Sequence, residues 1–199
     1  MKASKLISKS FNAFGGWKGL LSSRYLFISA VITLLVFPFW IQEDSWELPI
    51  QIMPSIIGFT LAGFAILLAF GDTEFLKKLS YREDENHSPF YKFSSTFLIF
   101  IIVQTITLLL SIFTKSWFER SMQIKVMSIP TNYYRLAECY FIIKLLFHAL
   151  TFFIFNYSLM LVIAAGVEIF RIVSWLEDYH TIEHNKSKAT KEGKDSSKN

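Results

Sequence analysis

Cysteine is nearly absent. Cys139 stands alone in 199 residues, which excludes an intramolecular disulfide and every C-x-x-C metal or redox motif. Charge is scarce too: Lys, Arg, Asp and Glu make up 18%, against about a quarter in a soluble domain. The scarcity is concentrated in four apolar runs, Tyr25–Ile41, Ile50–Phe70, Ser94–Phe113 and Phe141–Ala165, whose only formal charge is Lys144. None of them contains the Asp or Glu usual in ion-coupled carriers, and no inverted repeat is visible. A P-loop, a GxSxG elbow and a nucleotide fingerprint are also missing. An ordinary soluble globule, a coiled coil, a disordered chain and a nucleic-acid-binding domain are thereby excluded. No catalytic, cofactor or metal site is expected, and the chain reads as a non-enzymatic protein with no direct nucleic-acid binding.

Apolar residues, by contrast, make up 52% of the chain and aromatic residues 17%, for a mean hydropathy of +0.38. A helix rises about 1.5 Å per residue, so a run of roughly 20 residues crosses the ~30 Å hydrocarbon core. The expected fold is all-α: a polytopic membrane protein with four transmembrane helices in two antiparallel hairpins. Tyr25–Ile41 is the shortest run, and Leu20–Ser23 extends it only if Arg24 snorkels to the headgroups. A β-barrel is excluded, because the runs are continuous and four of them cannot close one.

Orientation follows from Lys and Arg. Lys2, Lys5, Lys9, Lys18 and Arg24 precede the first run, and Lys77, Lys78, Arg82 and Lys92 lie between the second and third. Arg171, Lys186, Lys188, Lys191, Lys194 and Lys198 follow the fourth, whereas Gln42–Pro49 has no basic residue. Both termini are therefore expected in the cytoplasm, although the four basic residues of Thr114–Tyr140 weaken the asymmetry. Trp40, Trp46 and Trp117 fall near the expected outer boundaries, as an aromatic belt would.

Four regions follow. Residues 1–24 form a basic segment, with Lys2, Lys5 and Lys9 on one helix face and Ile7, Phe11 and Phe14 on another, ending at Gly15-Gly16. That layout suits a helix lying on anionic lipid, with a solvated tail or a cleaved targeting peptide as the alternatives. Residues 25–165 form the four-span bundle. Gly71 reads as a C-cap and Asp72 as an N-cap of a short amphipathic helix with Phe75, Leu76 and Leu79 on one face. The stretch Tyr81–Pro89 reads as polar loop. The outer loop Thr114–Tyr140 carries Trp117, Phe118, Met122, Ile124, Val126, Met127 and Ile129, and Thr131 or Asn132 reads as the cap of a fourth helix starting near Tyr133. Residues 166–184 extend that helix as an amphipathic cytoplasmic rod, and residues 185–199 read as a disordered basic tail.

Three seams repeat at spacings of 3 and 4. Ser55, Gly58, Ala62, Ala65 and Ala69 make a small-residue stripe, suited to close helix packing within the chain, to a subunit interface or to a narrow pore lining. Gln104, Thr107, Ser111 and Thr114 make a polar stripe that must face protein or water. Lys144, His148, Thr151 and Ser158 continue the polar theme on the fourth run, with Asn156 on a neighbouring face. His148 is either a neutral ring bonded to Gln104 or Thr107, or a gate or proton sensor. On the extension, Ile169, Ile172, Val173 and Leu176 form an apolar stripe that the helix cannot cover alone, a candidate docking face for a cytoplasmic protein. His180-Thr181-Ile182-Glu183-His184 matches H-x-x-E-H. A catalytic zinc site needs a third ligand and a cleft, and only fifteen residues without His or Cys follow.

The stretch GFTLAGFAILLAFGDTEF, Gly58–Phe75, is similar to small bacterial inner-membrane proteins. With the chain length, four expected spans, cytoplasmic ends and helical extension, it resembles the membrane subunit of the Kiwa antiphage system, the KwaA family, or a similar small defence membrane protein. The resemblance implies an oligomeric four-span sensor in the bacterial inner membrane that recruits a soluble DNA-binding partner, KwaB, and it carries over no site residues. The expected function is a homo-oligomeric subunit that senses envelope perturbation through Gln42–Pro49 and Thr114–Tyr140. Its expected partners are membrane lipid, itself and a cytoplasmic protein. The alternative is a homo-oligomeric ion channel or pore lined by the polar stripe and gated near His148.

Overall fold

The computed structural model describes residues 3–21, 23–42, 44–70, 73–81, 88–118 and 134–196. Among them the chain is all-helical. The helices are α1 (Ala3–Phe14), α2 (Gly16–Leu21), α3 (Arg24–Leu35), α4 (Phe37–Trp40), α5 (Glu47–Phe70), α6 (Thr73–Ser80), α7 (Pro89–Phe118) and α8 (Tyr134–Ser196). Gly15 (φ 108°) separates α1 from α2, which opens on Gly16 (φ 61°), both in a positive-φ backbone that glycine adopts without a Cβ clash. The cap assignments at Gly71, Asp72, Thr131 and Asn132 lie outside the described residues, as do Arg82–His87 of the expected polar loop and Met122, Ile124, Val126, Met127 and Ile129 of the outer loop.

Three helices are long and apolar enough to cross a membrane: Glu47–Ile66, Pro89–Phe118 and Glu138–Lys186. The first apolar run differs from expectation. Its helix α3 has 12 residues, and the chain breaks at Val36 (φ −90°, ψ 13°) before the short α4. The cause is Pro38, whose missing N–H leaves the Leu34 carbonyl without its i+4 donor. The Trp40 indole N–H folds back onto the neighbouring carbonyl of the same turn, donating to Thr33 at 2.8 Å.

Polar groups of the apolar helices lie inside beside an apolar core, while many large apolar side chains lie outside, unlike a soluble fold. Phe27, Leu34, Leu35, Phe59 and Leu146 are well exposed on the outer surface, while Gln104, Thr107, Ser111 and Ser158 have no exposed surface. Serine and threonine hydroxyls sit in these apolar helices by donating to their own chain four residues back, as Ser29 does to Tyr25 (2.6 Å) and Thr33 to Ser29 (2.7 Å).

Two clusters make the core. One is a phenylalanine stack of Phe93, Phe97 and Phe100 on α7, packed with Tyr157, Leu161 and Ala164 of α8. The other joins Trp40, Met53, Phe152 and Phe155. Thr60 meets Gln104 while Phe64 meets Phe97 and Phe93, so α5 and α7 run in opposite directions. Thr114 meets Thr151 and Thr107 meets Ile154, so α7 and α8 do too.

α8 runs unbroken for 63 residues, a length of about 95 Å. It continues through residues 185–196, where a disordered tail was expected. Lys, Ala and Glu are good helix formers, and Gly193 costs only about 1 kcal/mol in a helix interior. Residues 197–199 of that tail lie outside the described residues.

Candidate functional site

The polar seam is built on α7. Gln104, Thr107, Ser111 and Thr114 are all buried against the neighbouring helices of the same chain. The Gln104 amide Nε2–H donates to Thr60 Oγ1 of α5 at 3.0 Å, and Thr60 donates on to the Ile56 carbonyl. The Thr114 and Thr151 hydroxyls lie 3.0 Å apart across the contact of α7 and α8. Ser158 Oγ donates to the Phe155 carbonyl at 2.7 Å and lies 3.5 Å from Met53 Sδ of α5. Such pairs specify which helix faces meet, because an amide or hydroxyl turned to lipid would lose its partner.

A second node joins α3 to α8, and the residue stripes gave no sign of it. Asn156 Nδ2–H donates to Thr33 Oγ1 at 3.0 Å. Thr33 therefore holds Asn156 through its hydroxyl and Trp40 through its carbonyl. A signal was present in Asn156 standing off the stripe of its own helix, on the face turned towards α3.

His148 is not bonded to Gln104 or Thr107 as expected. The antiparallel register sets it beside Phe118, fourteen residues further along α7 than Gln104, or about 21 Å. Its Nδ1 lies 2.8 Å from the Lys144 carbonyl. A carbonyl can only accept, so Nδ1 carries a hydrogen. The ring packs edge-on to Trp46 at 5.0 Å. Trp46 and Trp40 are both buried and belong to the core, not to a membrane-facing aromatic belt. Of the three tryptophans only Trp117 is well exposed. Lys144 is half-buried.

Every member of the α5 small-residue stripe, Ser55, Gly58, Ala62, Ala65 and Ala69, is exposed. A Cβ added at Gly58 would meet nothing within 4 Å. The stripe takes no part in packing within the chain. Gln51, one turn before Ser55, is exposed on the same side, so a carboxamide and a hydroxyl extend that face. Close approach within the chain occurs at Gly63 instead, where an added Cβ would lie 3.3 Å from Ile169 Cδ1 of α8. The Ile169 tip can shift, so Gly63→Ala should change stability by under about 1 kcal/mol. Gly63→Val should cost about 1–3 kcal/mol by forcing α5 from α8. Thermal unfolding of the two variants in detergent checks this pair.

The expected docking stripe on α8 is largely covered. Ile172 is buried in the cluster that contains Phe75 and Leu79 of α6, and Ile169, Leu176 and Tyr179 pack against the same cluster. Lys78 Nζ sits 4.1 Å from the Tyr179 ring centroid. The cover comes from several helices together: Gly63 of α5 lies against Ile169, Phe93, Phe97 and Phe100 of α7 share the cluster with Ile172, and Phe75 of α6 meets Tyr179 at 5.9 Å. The apolar surface left open on this part of α8 includes Val173, Trp175 and Phe170, the last 72% exposed.

At the opposite end Glu47 and Lys115 pair at 3.4 Å, and both are about half exposed, so the pair is worth under about 1 kcal/mol. Ser45 and Trp46 are buried, which fixes part of Gln42–Pro49 against the bundle. His180 and His184 are exposed on α8, and no cluster of three or more metal-ligating side chains occurs among the described residues. Compared with known protein families, curated proteins and solved structures, the chain has no match.

Proposed function

We propose that this chain is a non-enzymatic subunit of a bacterial inner membrane that associates with copies of itself along the outward face of α5. In this reading it crosses the bilayer four times in two antiparallel hairpins, with α3 and α4 together as an interrupted first span and both termini in the cytoplasm. The opposed directions of α5 and α7, and of α7 and α8, support that topology, as does the distribution of Lys and Arg.

The observation that carries the reading is the outward face of α5. In lipid, helices associate through close backbone approach and hydrogen bonds, since hydrocarbon already solvates leucine. Gly58, Ala62 and Ala65 permit that approach, and Gln51 and Ser55 need polar partners that lipid tails do not offer. A second α5 offers both. The polar seam of α7 and α8 supports no separate reading as a channel lining, because its side chains are buried within a single chain.

Two further features support a relay role. The long α8 connects the apolar bundle rigidly to a charged end, and Phe170 and Val173 give it an uncovered face for a soluble partner. The resemblance of the whole chain's expected architecture, together with the Gly58–Phe75 stretch, to the KwaA family extends the proposal to sensing of phage infection at the envelope.

Cysteine cross-linking in native membranes tests self-association. With Cys139 replaced by serine, Ala62→Cys and Ala65→Cys should oxidise to covalent dimers several-fold faster than Ile106→Cys on the outer side of α7. Equal rates at the three positions would remove the α5 interface.

A further inference from the structure

A groove of about 640 Å³ opens where the end of α1, the start of α3, the first half of α7 and α8 converge. Its volume lies in the range of small-molecule sites, roughly 300–1,000 Å³. Its lining changes character along its length. Phe14, Phe100, Leu161 and Ala164 form one end, and Lys92, Glu168, Arg171 and Trp175 belong to the other. From Lys92 to Phe100 along α7 is about 12 Å, and from Arg171 to Leu161 along α8 about 15 Å. Because the two helices run in opposite directions, both cations fall at the same level. That level is where charge returns after the apolar runs of both helices, the depth at which headgroups lie.

We propose that this groove holds one anionic phospholipid, its phosphate at Lys92 and an acyl chain along Phe14, Phe100 and Leu161. The inference rests on the membrane reading above. An apolar trough open to a bilayer is filled at least cost by hydrocarbon, which leaves the charged end to choose the headgroup. Arg171 Nη1 lies 3.0 Å from the Glu168 carboxylate, so that pair is close to neutral. No described carboxylate pairs with the Lys92 ammonium, which is exposed. Arg24 stands between two lining residues, Ser23 and Tyr25, and Lys9 lies 5.3 Å from the ring centroid of Tyr91, next to Lys92. The surplus is therefore positive. It complements a phosphate that carries net negative charge better than a zwitterionic headgroup, whose own cation it repels. Trp175 and Tyr25 flank this level with the half-apolar, half-polar rings that favour a lipid interface.

The test extracts and quantifies, by mass spectrometry, the phospholipid that remains on the full chain after mild detergent purification from membranes of known composition. Wild type should retain about one anionic phospholipid per chain, enriched over the bulk membrane. Lys92→Gln should reduce that enrichment about fivefold, the effect of one basic residue at an anionic headgroup. Glu168→Gln should raise it by a similar factor, a gain that a merely structural role for Glu168 would not produce. Val167→Trp, at the exposed rim of the groove, should lower total retained lipid, and Ile106→Trp on the outer side of α7 should not. Retention in bulk proportions, or no response to either charge variant, overturns the proposal. Full displacement by water-soluble glycerol phosphate overturns it too, since the acyl chain would then contribute nothing. A protein recovered in the aqueous fraction without detergent fails the membrane reading itself, an outcome distinct from a membrane-bound protein carrying unselected lipid.

Discussion

Phe97→Ala will lower the stability of the bundle by about 3–5 kcal/mol, the usual cost of emptying a buried phenylalanine site. Phe97 is 1% exposed. Its ring stacks on Phe64 of α5 at 5.3 Å and tilts against Phe93 at 4.7 Å and Phe100 at 6.1 Å. The same cluster takes in Tyr157 and Leu161 of α8, so one side chain touches the packing of three helices. None of these neighbours can collapse into the space without pulling a helix off its register. Since lipid tails solvate apolar side chains about as well as a protein interior does, the loss is mainly one of packing contacts. Equilibrium unfolding in mixed micelles, followed by tryptophan fluorescence, measures it. Phe97→Leu keeps most of the volume and should recover more than half of the loss. A Phe97→Ala protein within about 1 kcal/mol of wild type would mean that the stack does not join the three helices.

Trp40→Ala will release the first apolar run from the bundle. The ring of Trp40 is buried with Met53, Phe152 and Phe155, and its N–H donates to the Thr33 carbonyl near the end of α3. Truncation therefore removes a large buried aromatic, at about 3–5 kcal/mol, and orphans a backbone acceptor as well. Trp40→Phe separates the two contributions: it keeps most of the apolar area and loses only the hydrogen bond, about 1 kcal/mol. Asn156→Leu acts on the other side of Thr33 and should also cost about 1 kcal/mol, the scale of an interhelical hydrogen bond in a membrane bundle. Protease protection of the Tyr25–Ile41 region, measured with unfolding, reports the outcome. Full protection in Trp40→Ala would show that α3 is held by lipid alone.

The fate of the α8 stripe follows from the same economy of apolar surface. Ile169, Ile172 and Leu176 form an amphipathic face that no property of α8 itself can cover. The cover comes from other helices, through Gly63 of α5, Phe93 and Phe97 of α7, and Phe75 and Leu79 of α6. Periodicity describes each helix in isolation and carries no record of which two faces meet, so an unpartnered stripe and a partnered one look alike along the chain. Gly63 escaped notice for the same reason. Nothing local distinguishes it from Gly58, yet one faces α8 and the other faces away.

Much was nevertheless fixed by the chain alone. Long runs without charge dictate helices, because in hydrocarbon every backbone N–H and C=O must be satisfied within its own segment. Amides and hydroxyls at spacings of 3 and 4 dictate that Gln104, Thr107, Ser111 and Thr114 turn away from lipid, because the alternative leaves donors unpaired. Those are requirements of single helices, and composition with period suffices to state them. Only the tertiary structure decided that the polar seam closes within one chain, that the small-residue face of α5 points outward, and that α5, α6 and α7 together cover the apolar stripe of α8. Each of those depends on the relative rotation and register of two helices. That choice is made by side chains far apart in sequence, such as Gln104 with Thr60 and Asn156 with Thr33, whose pairing no local pattern encodes.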